Sequence, residues 1–380
     1  MKQKMLNVVF LLFCYSFVGA SAAIAFEFHD SHFHLKNFIQ KGPSAKSALQ
    51  VMGNLTGRAA LFGLPLQQKW DYALTGDRAP DYYLSSKARL YYYSAVDAMI
   101  AEEYLSLTLE EQSRFDPMIT GFNPTDMYAR DHIVQMLKLY PGVFSGIGEF
   151  SIHKEFVSGK IAGHAASLTN NALAEILNVA SEIGLVVIIH CDIDEVRPLP
   201  DEPAYLSQLK AVFKSHPKTN IIWAHTGLGR LVAPRPEHLE ILDKILVNPD
   251  FNHVNFDLSW DEVAKYVVTD EETVEKWAEL ITRHKSRFLF GTDSVAPKNQ
   301  SSYAKTFFDY APLWSKLNVV TRRMVLIENY ERIFDEANRS VRAWEMSNFE
   351  SFEDAVPIKH YYYESIRNEV EAQIQINAGN

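Results

Sequence analysis

The sequence has 380 residues, a formal charge of −10 at neutral pH, 47% hydrophobic residues and two cysteines. That apolar and aromatic content excludes a disordered chain, two cysteines cannot build a disulfide scaffold, and a pI near 5.7 speaks against a nucleic-acid-binding surface. The length fits two medium domains, or one barrel of roughly 250 residues carrying insertions.

The chain opens on Lys2 and Lys4, an uncharged apolar run from Val8 to Val18, and the small residues Ser21–Ala25 ending in an A-x-A site, Ala23-Ile24-Ala25. This is the grammar of a signal peptide, so residues 1–25 are expected to be a cleaved leader and the product to be exported, periplasmic or secreted. The rival reading is an uncleaved anchor, because no charge appears from Met5 to Phe26 and roughly 20 apolar residues suffice to span a bilayer. The small-residue end and the strand that follows at once favour cleavage, with no stable membrane anchor left. Cleavage removes Cys14 and leaves Cys191 alone, so no internal disulfide is expected.

From Phe26 onward short apolar runs alternate with amphipathic stretches. The runs predict buried strands at Phe26–Asp30, Ala59–Leu66, Pro117–Phe122, Phe144–Phe150, Leu185–Cys191, Asn220–Ala224, Val254–Leu258 and Phe288–Gly291. Helices are predicted at Asn171–Ile183, Glu237–Leu246 and Arg322–Glu345. Ser259-Trp260-Asp261-Glu262 and Thr269-Asp270-Glu271-Glu272 carry the S/T-x-x-E pattern of a capping box. Eight strands alternating with helices argue for an α/β fold, a (β/α)8 TIM barrel; a doubly wound sheet is the structural rival. No Gly-rich phosphate loop follows the first strand. The expected organisation is one barrel over residues 26–346, with an insertion at 67–110 between the second and third strands and a helical tail at 347–380. The insertion is tyrosine-rich, includes Tyr91-Tyr92-Tyr93, and reads either as a lid or as ordinary packing against the barrel.

Polar residues interrupt the apolar runs at their carboxyl ends. Strand one closes on Asp30-Ser31-His32-Phe33-His34, strand four on Gly148-Glu149, strand five on His190, strand six on His225 and strand eight on Asp293. In a parallel barrel these ends open on one face, where active sites lie. His32 and His34 are two apart, a spacing that turns both side chains to the same side of a strand. Imidazole and carboxylate together suit zinc, manganese or iron. A lone histidine after an apolar run is more often a hydrogen-bonded core residue; the weight comes from several strands delivering such residues to one rim. Cys191 alternates away from that rim and reads as a small buried hydrophobe.

With these residues in place, the chain resembles the amidohydrolase superfamily of metal-dependent hydrolases, in the amidohydrolase-related branch that also holds decarboxylases. The resemblance rests on Asp30-Ser31-His32-Phe33-His34-Leu35, Gly146-Ile147-Gly148-Glu149-Phe150, Ile189-His190, Ala224-His225-Thr226-Gly227 and Phe290-Gly291-Thr292-Asp293-Ser294, and spans about Phe26 to Glu345. Ile327–Phe334 resembles the branch's closing helix. The resemblance implies that His32, His34, His190 and Asp293 bind a first metal ion. His225 would complete a second site or polarise the substrate, and Glu149 stands where some relatives place a bridging carboxylate. Zinc is the leading ion, one or two per site, with manganese or iron as alternatives.

The implied chemistry is attack of a metal-activated water on an amide, ester, lactone or related bond of a small molecule, with Asp293 as the base that later returns the proton and His225 stabilising charge on oxygen. Non-oxidative decarboxylation on the same scaffold is the alternative, and a barrel without turnover is a third. Substrate contacts are sought in the loops: Arg230 for a carboxylate or phosphate, Trp260 as a pocket wall. An ordinary ion pair for Arg230 and the first turn of the next helix for Trp260 are the competing readings. The bond cleaved and the oligomeric state stay open at this level.

Overall fold

The computed structural model describes residues 26–37, 40–64, 72–78, 95–154, 166–198 and 202–349. The leader-like segment, Tyr91-Tyr92-Tyr93 and the tail from 350 lie outside them. The strands are β1 (Phe28–His34), β2 (Thr56–Phe62), β3 (Phe115–Ile119), β4 (Gly146–Ser151), β5 (Val186–His190), β6 (Ile221–Trp223), β7 (Val254–Leu258), β8 (Phe288–Phe290) and β9 (Ser294–Val295). They form one sheet in the order β8-β7-β6-β5-β4-β3-β2-β1-β9, and every neighbouring pair is parallel. β8 and β9 are two halves of one barrel strand, broken at Gly291-Thr292-Asp293. The first half pairs with β7 and the second with β1, which curls the sheet back on itself. Hydrogen bonds from the Ser31 hydroxyl to the Phe290 carbonyl and from the Asp293 N–H to the His32 carbonyl cross the same seam. The eight predicted strands are therefore the barrel. β1 runs four residues further than expected, because its His-x-His end stays paired to β2 and β9.

Alternation divides each strand between two cores. Val187 and Ile189 face the outer helices, with Leu173, Ile176, Leu177, Ala180 and Ile183 of the helix Asn171–Ile183 packed in the same layer. That helix is capped by Asn170, which accepts the Ala172 N–H, and ends at Gly184 in a left-handed conformation. Val186, Ile188, Ile222, Leu289, Ala60 and Phe62 face inward and meet Tyr330, Ile333, Phe334 and Ala337 of the long helix Asn329–Asn348, which plugs the amino-terminal end of the barrel. Asn329 pins this helix by donating to the carbonyls of Lys285 and Phe288. Below the plug, Asp116 accepts from Arg58, Tyr330 and Asn338. An eight-strand barrel is just wide enough to be filled by side chains, so an apolar lower half leaves its carboxyl end as the place for polar ones.

Two capping readings are corrected. Asp270, not Thr269, caps the helix Glu271–Arg283 by accepting the Thr273 N–H; the Thr269 hydroxyl instead donates back to the Lys265 carbonyl. Ser259 does not cap the helix Asp261–Val267, which starts after Trp260 without a side-chain cap. Its hydroxyl turns into the barrel. Between β2 and β3, the helix Val96–Leu105 is held by buried Asp97, which accepts from the N–H groups of Thr120 and Gly121 at the end of β3. Among the described residues no helix is long and apolar enough to cross a membrane.

Candidate metal centre

The carboxyl ends of β1, β4, β5, β6 and β8 bring six side chains together: His32, His34, Glu149, His190, His225 and Asp293. All but Asp293 are essentially buried. Glu149 sits between the histidines and divides them. Its Oε2 lies 3.4 Å from Nε2 of His34 and 3.6 Å from Nε2 of His32. Its Oε1 lies 2.6 Å from Nδ1 of His190 and 3.6 Å from Nε2 of His225. Asp293 closes the first half, with Oδ1 3.2 Å from Nε2 of His34 and 3.4 Å from Nε2 of His32, and reaches His225 at 3.9 Å through Oδ2. Three groups have ligand atoms within reach of a common ion: His32/His34/Glu149, Glu149/His190/His225 and His32/His225/Asp293. The resemblance grouped His190 with His32 and His34; the geometry sets it beside His225, across Glu149.

The backbone is bent to make this arrangement. His225 and Thr226 lie in a turn beyond β6, not on the strand, with φ of 56° and 54°; Asp293 has φ 49° and Trp260 φ 70°. The left-handed region is costly for residues with a Cβ, and such residues persist where surrounding structure holds them, typically at functional sites. Gly291 lets β8 approach β1: a Cβ there would lie 2.5 Å from the Cβ of His32.

Each ring is held from behind. Nδ1 of His34 donates to the Gly63 carbonyl at 2.8 Å, which turns Nε2 inward. Nδ1 of His32 donates to Asp257 at 3.0 Å, with the same result. His190 lies between two carboxylates, Glu149 at Nδ1 and Asp192 at Nε2, 3.0 Å away. Asp30, behind β1, accepts from the His32 and Thr292 N–H groups and from the hydroxyls of Thr292 and Tyr303. Burial nevertheless raises its carboxyl to about 6.

Mutual neutralisation dominates the ion-free electrostatics. Burial opposes protonation of His32, but Asp293, Asp257 and Glu149 outweigh it and hold the ring well above its usual value. His34 is raised in the same way by Asp293 and Glu149. Burial works to raise Glu149, yet Lys154 and His190 hold it well below the usual range; His32, His34 and His225 do the same for Asp293. His225 alone of the four rings is lowered, chiefly by burial.

The sequence-level substrate residues divide. The Trp260 ring stands 5.1 Å from that of His225 and 6.3 Å from that of His190, so it walls the centre. Arg230 touches none of the six; its guanidinium lies over Trp260 at 5.4 Å and pairs with Glu262 at 3.1 Å. Cys191 is buried, with its thiol on the Asp192 carbonyl. Asp257, Ser259, Asp192 and Lys154 went unnoticed as site residues. A carboxylate inside the apolar strand Val-Asn-Phe-Asp-Leu was the available signal, since Asp is almost never fully buried without a partner. Lys154 lies 3.6 Å from Glu149 and 5.4 Å from the Trp260 ring.

A parallel barrel whose strand ends converge imidazoles and carboxylates defines the class of barrel hydrolases that work through a bound metal. A family model described as amidohydrolase matches residues 30–335, and the chain belongs to that family. Among solved structures, it is similar to a candidate 2-pyrone-4,6-dicarboxylic acid hydrolase from Pseudomonas putida, at 12% identity over 81% of this chain and 97% of that one, with a TM-score of 0.50. It is equally similar to an amidohydrolase from Burkholderia multivorans with bound HEPES, at 13% identity over 82% and 99%, TM-score 0.50. At such identities the likeness speaks to the fold. No curated protein matches the sequence.

Proposed function

We propose that this protein is a metal-dependent hydrolase that cleaves an amide, ester, lactone or related bond of a small molecule, with zinc as the ion. The observation that carries the proposal is the donor set itself. Four imidazoles and two carboxylates converge, and Nε2 of His32 and of His225 are buried with no hydrogen-bond partner in the protein. Both nitrogens face the carboxylates of Glu149 and Asp293 at 3.4–3.9 Å, so an ion fits between donors that already converge. Nitrogen and carboxylate oxygen suit zinc, manganese or iron. His32, His34 and Asp293 would hold one ion and His190 and His225 a second, with Glu149 facing both. A bound divalent ion supplies a water that ionises near neutral pH and polarises the scissile group.

The protein's own residues do the rest. Asp293 is the most open of the six, its side chain 7% exposed. Its neighbours keep it ionised, so it can accept the proton of the attacking water and release it to the leaving group. Trp260 covers the His190–His225 side and keeps bulk water away. Arg230 orients Trp260 and is proposed to meet an anionic substrate group at the rim.

The test is elemental analysis of the purified protein, joined to a panel of amides, esters, lactones, phosphoesters and aromatic acids. Stoichiometric metal with metal-dependent hydrolysis is the expected result. Carbon dioxide release from an aromatic acid without hydrolysis would move the protein to the decarboxylases, and metal-free protein would refute the reading. Export is proposed on residues 1–25 alone; amino-terminal sequencing of the protein from its host, with Phe26 first, is the check.

A further inference from the structure

Asp257 and Ser259 stand outside the ligand set, yet they hold two of its members. Asp257 is fully buried. Its Oδ2 accepts from Nδ1 of His32 at 3.0 Å, and its Oδ1 accepts the His225 N–H at 2.6 Å and the Ser259 hydroxyl at 2.5 Å. Oγ of Ser259 is also 2.7 Å from Nδ1 of His225. Ser259 has one hydroxyl hydrogen to place. If it pointed at His225, two lone-pair-bearing oxygens would face each other at 2.5 Å with nothing between them. The hydrogen therefore lies between Ser259 and Asp257, which takes three donors, as an ionised carboxylate does. Ser259 then offers His225 only a lone pair, and Nδ1 of His225 must carry the hydrogen.

We infer that Asp257 and Ser259 form a clamp that commits the inward nitrogen of His225 as a lone pair, while Asp257 also holds the ring of His32 with Nε2 turned inward. One carboxylate thus orients one ring in each half of the centre. The consequence departs from the role that the resemblance leaves open for His225. A neutral ring with Nδ1–H cannot donate a hydrogen bond to a substrate oxygen through Nε2; it can bind an ion or accept a proton. Asp257 and Ser259 act through the histidines and are positioning residues. Their use rests on the metal-centre reading above, whereas the tautomer they impose does not.

The experiment uses the full chain. With histidine nitrogens labelled and the protein stripped of metal, nitrogen NMR should show His225 as the Nδ1–H tautomer. Ser259→Ala should lose that preference and Ser259→Thr keep it. Zinc affinity, measured by competition with a chelator, should fall about 10- to 100-fold in Ser259→Ala, the usual cost of losing a group that orients a metal-binding histidine, and hold in Ser259→Thr. A wild-type His225 protonated at Nε2 would overturn the inference, as would a Ser259→Ala protein with unchanged tautomer and zinc affinity. Should Ser259→Ala fail to fold, the wild-type tautomer decides. A wild type that takes up no zinc would overturn the metal reading and leave the tautomer to decide the clamp.

Discussion

Gly291→Ala tests whether the barrel seam sets the position of His32, the first ligand of the proposed metal centre. The added Cβ would lie 2.5 Å from the Cβ of His32 and 3.0 Å from both the His32 nitrogen and Oγ of Ser31. Carbon atoms in contact prefer about 3.5–4 Å, so roughly 1 Å of overlap must be relieved. The Ser31 hydroxyl could turn aside, but the closest contact is the Cβ of His32 and the next its backbone nitrogen, fixed parts of β1, which Phe33 and His34 tie to β9. The two strands must part, and His32 moves with β1. Overpacking of this kind costs about 1–3 kcal/mol of stability. A ligand group tolerates displacement of only about 0.5 Å, and a misplacement near 1 Å costs on the order of 100-fold in function. Urea unfolding should show the stability loss, and chelator competition should show weakened zinc binding. A variant that retains both the wild-type midpoint and the wild-type zinc affinity would refute the reasoning, because β8 and β1 would then have room that the structure denies them.

Other substitutions probe separate links. Asp293→Asn should retain much of the metal and lose turnover by about 100- to 10,000-fold, the range of a lost proton-transfer group; wild-type activity on any substrate that the panel identifies would rule out its role as base. Glu149→Gln removes the carboxylate that lies between the two halves of the centre, so metal content per chain should fall on elemental analysis, with retention of the full complement counting against the shared-ligand arrangement. His238 is buried, and burial lowers its pKa from 6.5 to about 4. The folded state therefore binds fewer protons than the unfolded one between these values, and the stabilising contribution is complete above pH 6.5 and lost as pH falls towards 4. The loss amounts to about 3 kcal/mol at most. His238→Asn should flatten the stability profile over that window in urea titrations; an unchanged slope would show that the acid sensitivity lies elsewhere.

The strand ends were legible in the sequence for a physical reason. Burial and alternation are local, so a run such as Leu185–Cys191 announces a strand, and the polar residue that ends it must sit at the rim. Eight such runs in sequence determined the barrel, and His32, His34, Glu149, His190, His225 and Asp293 could be named before any distance was known. The partners behind them could not. His32 and Asp257 are separated by 225 positions and meet only because the barrel curls closed. Ser259 matched a helix-capping pattern, and only the left-handed turn at Trp260 showed its hydroxyl facing inward. For Arg230 the sequence allowed a substrate contact or an ordinary ion pair, and the tertiary structure supplies the pair, with Glu262 at 3.1 Å. Spacing along a chain decides which residues reach a rim. Which oxygen meets which nitrogen there, and so where each proton rests, depends on closure of the sheet and on side-chain torsions that only the tertiary structure sets.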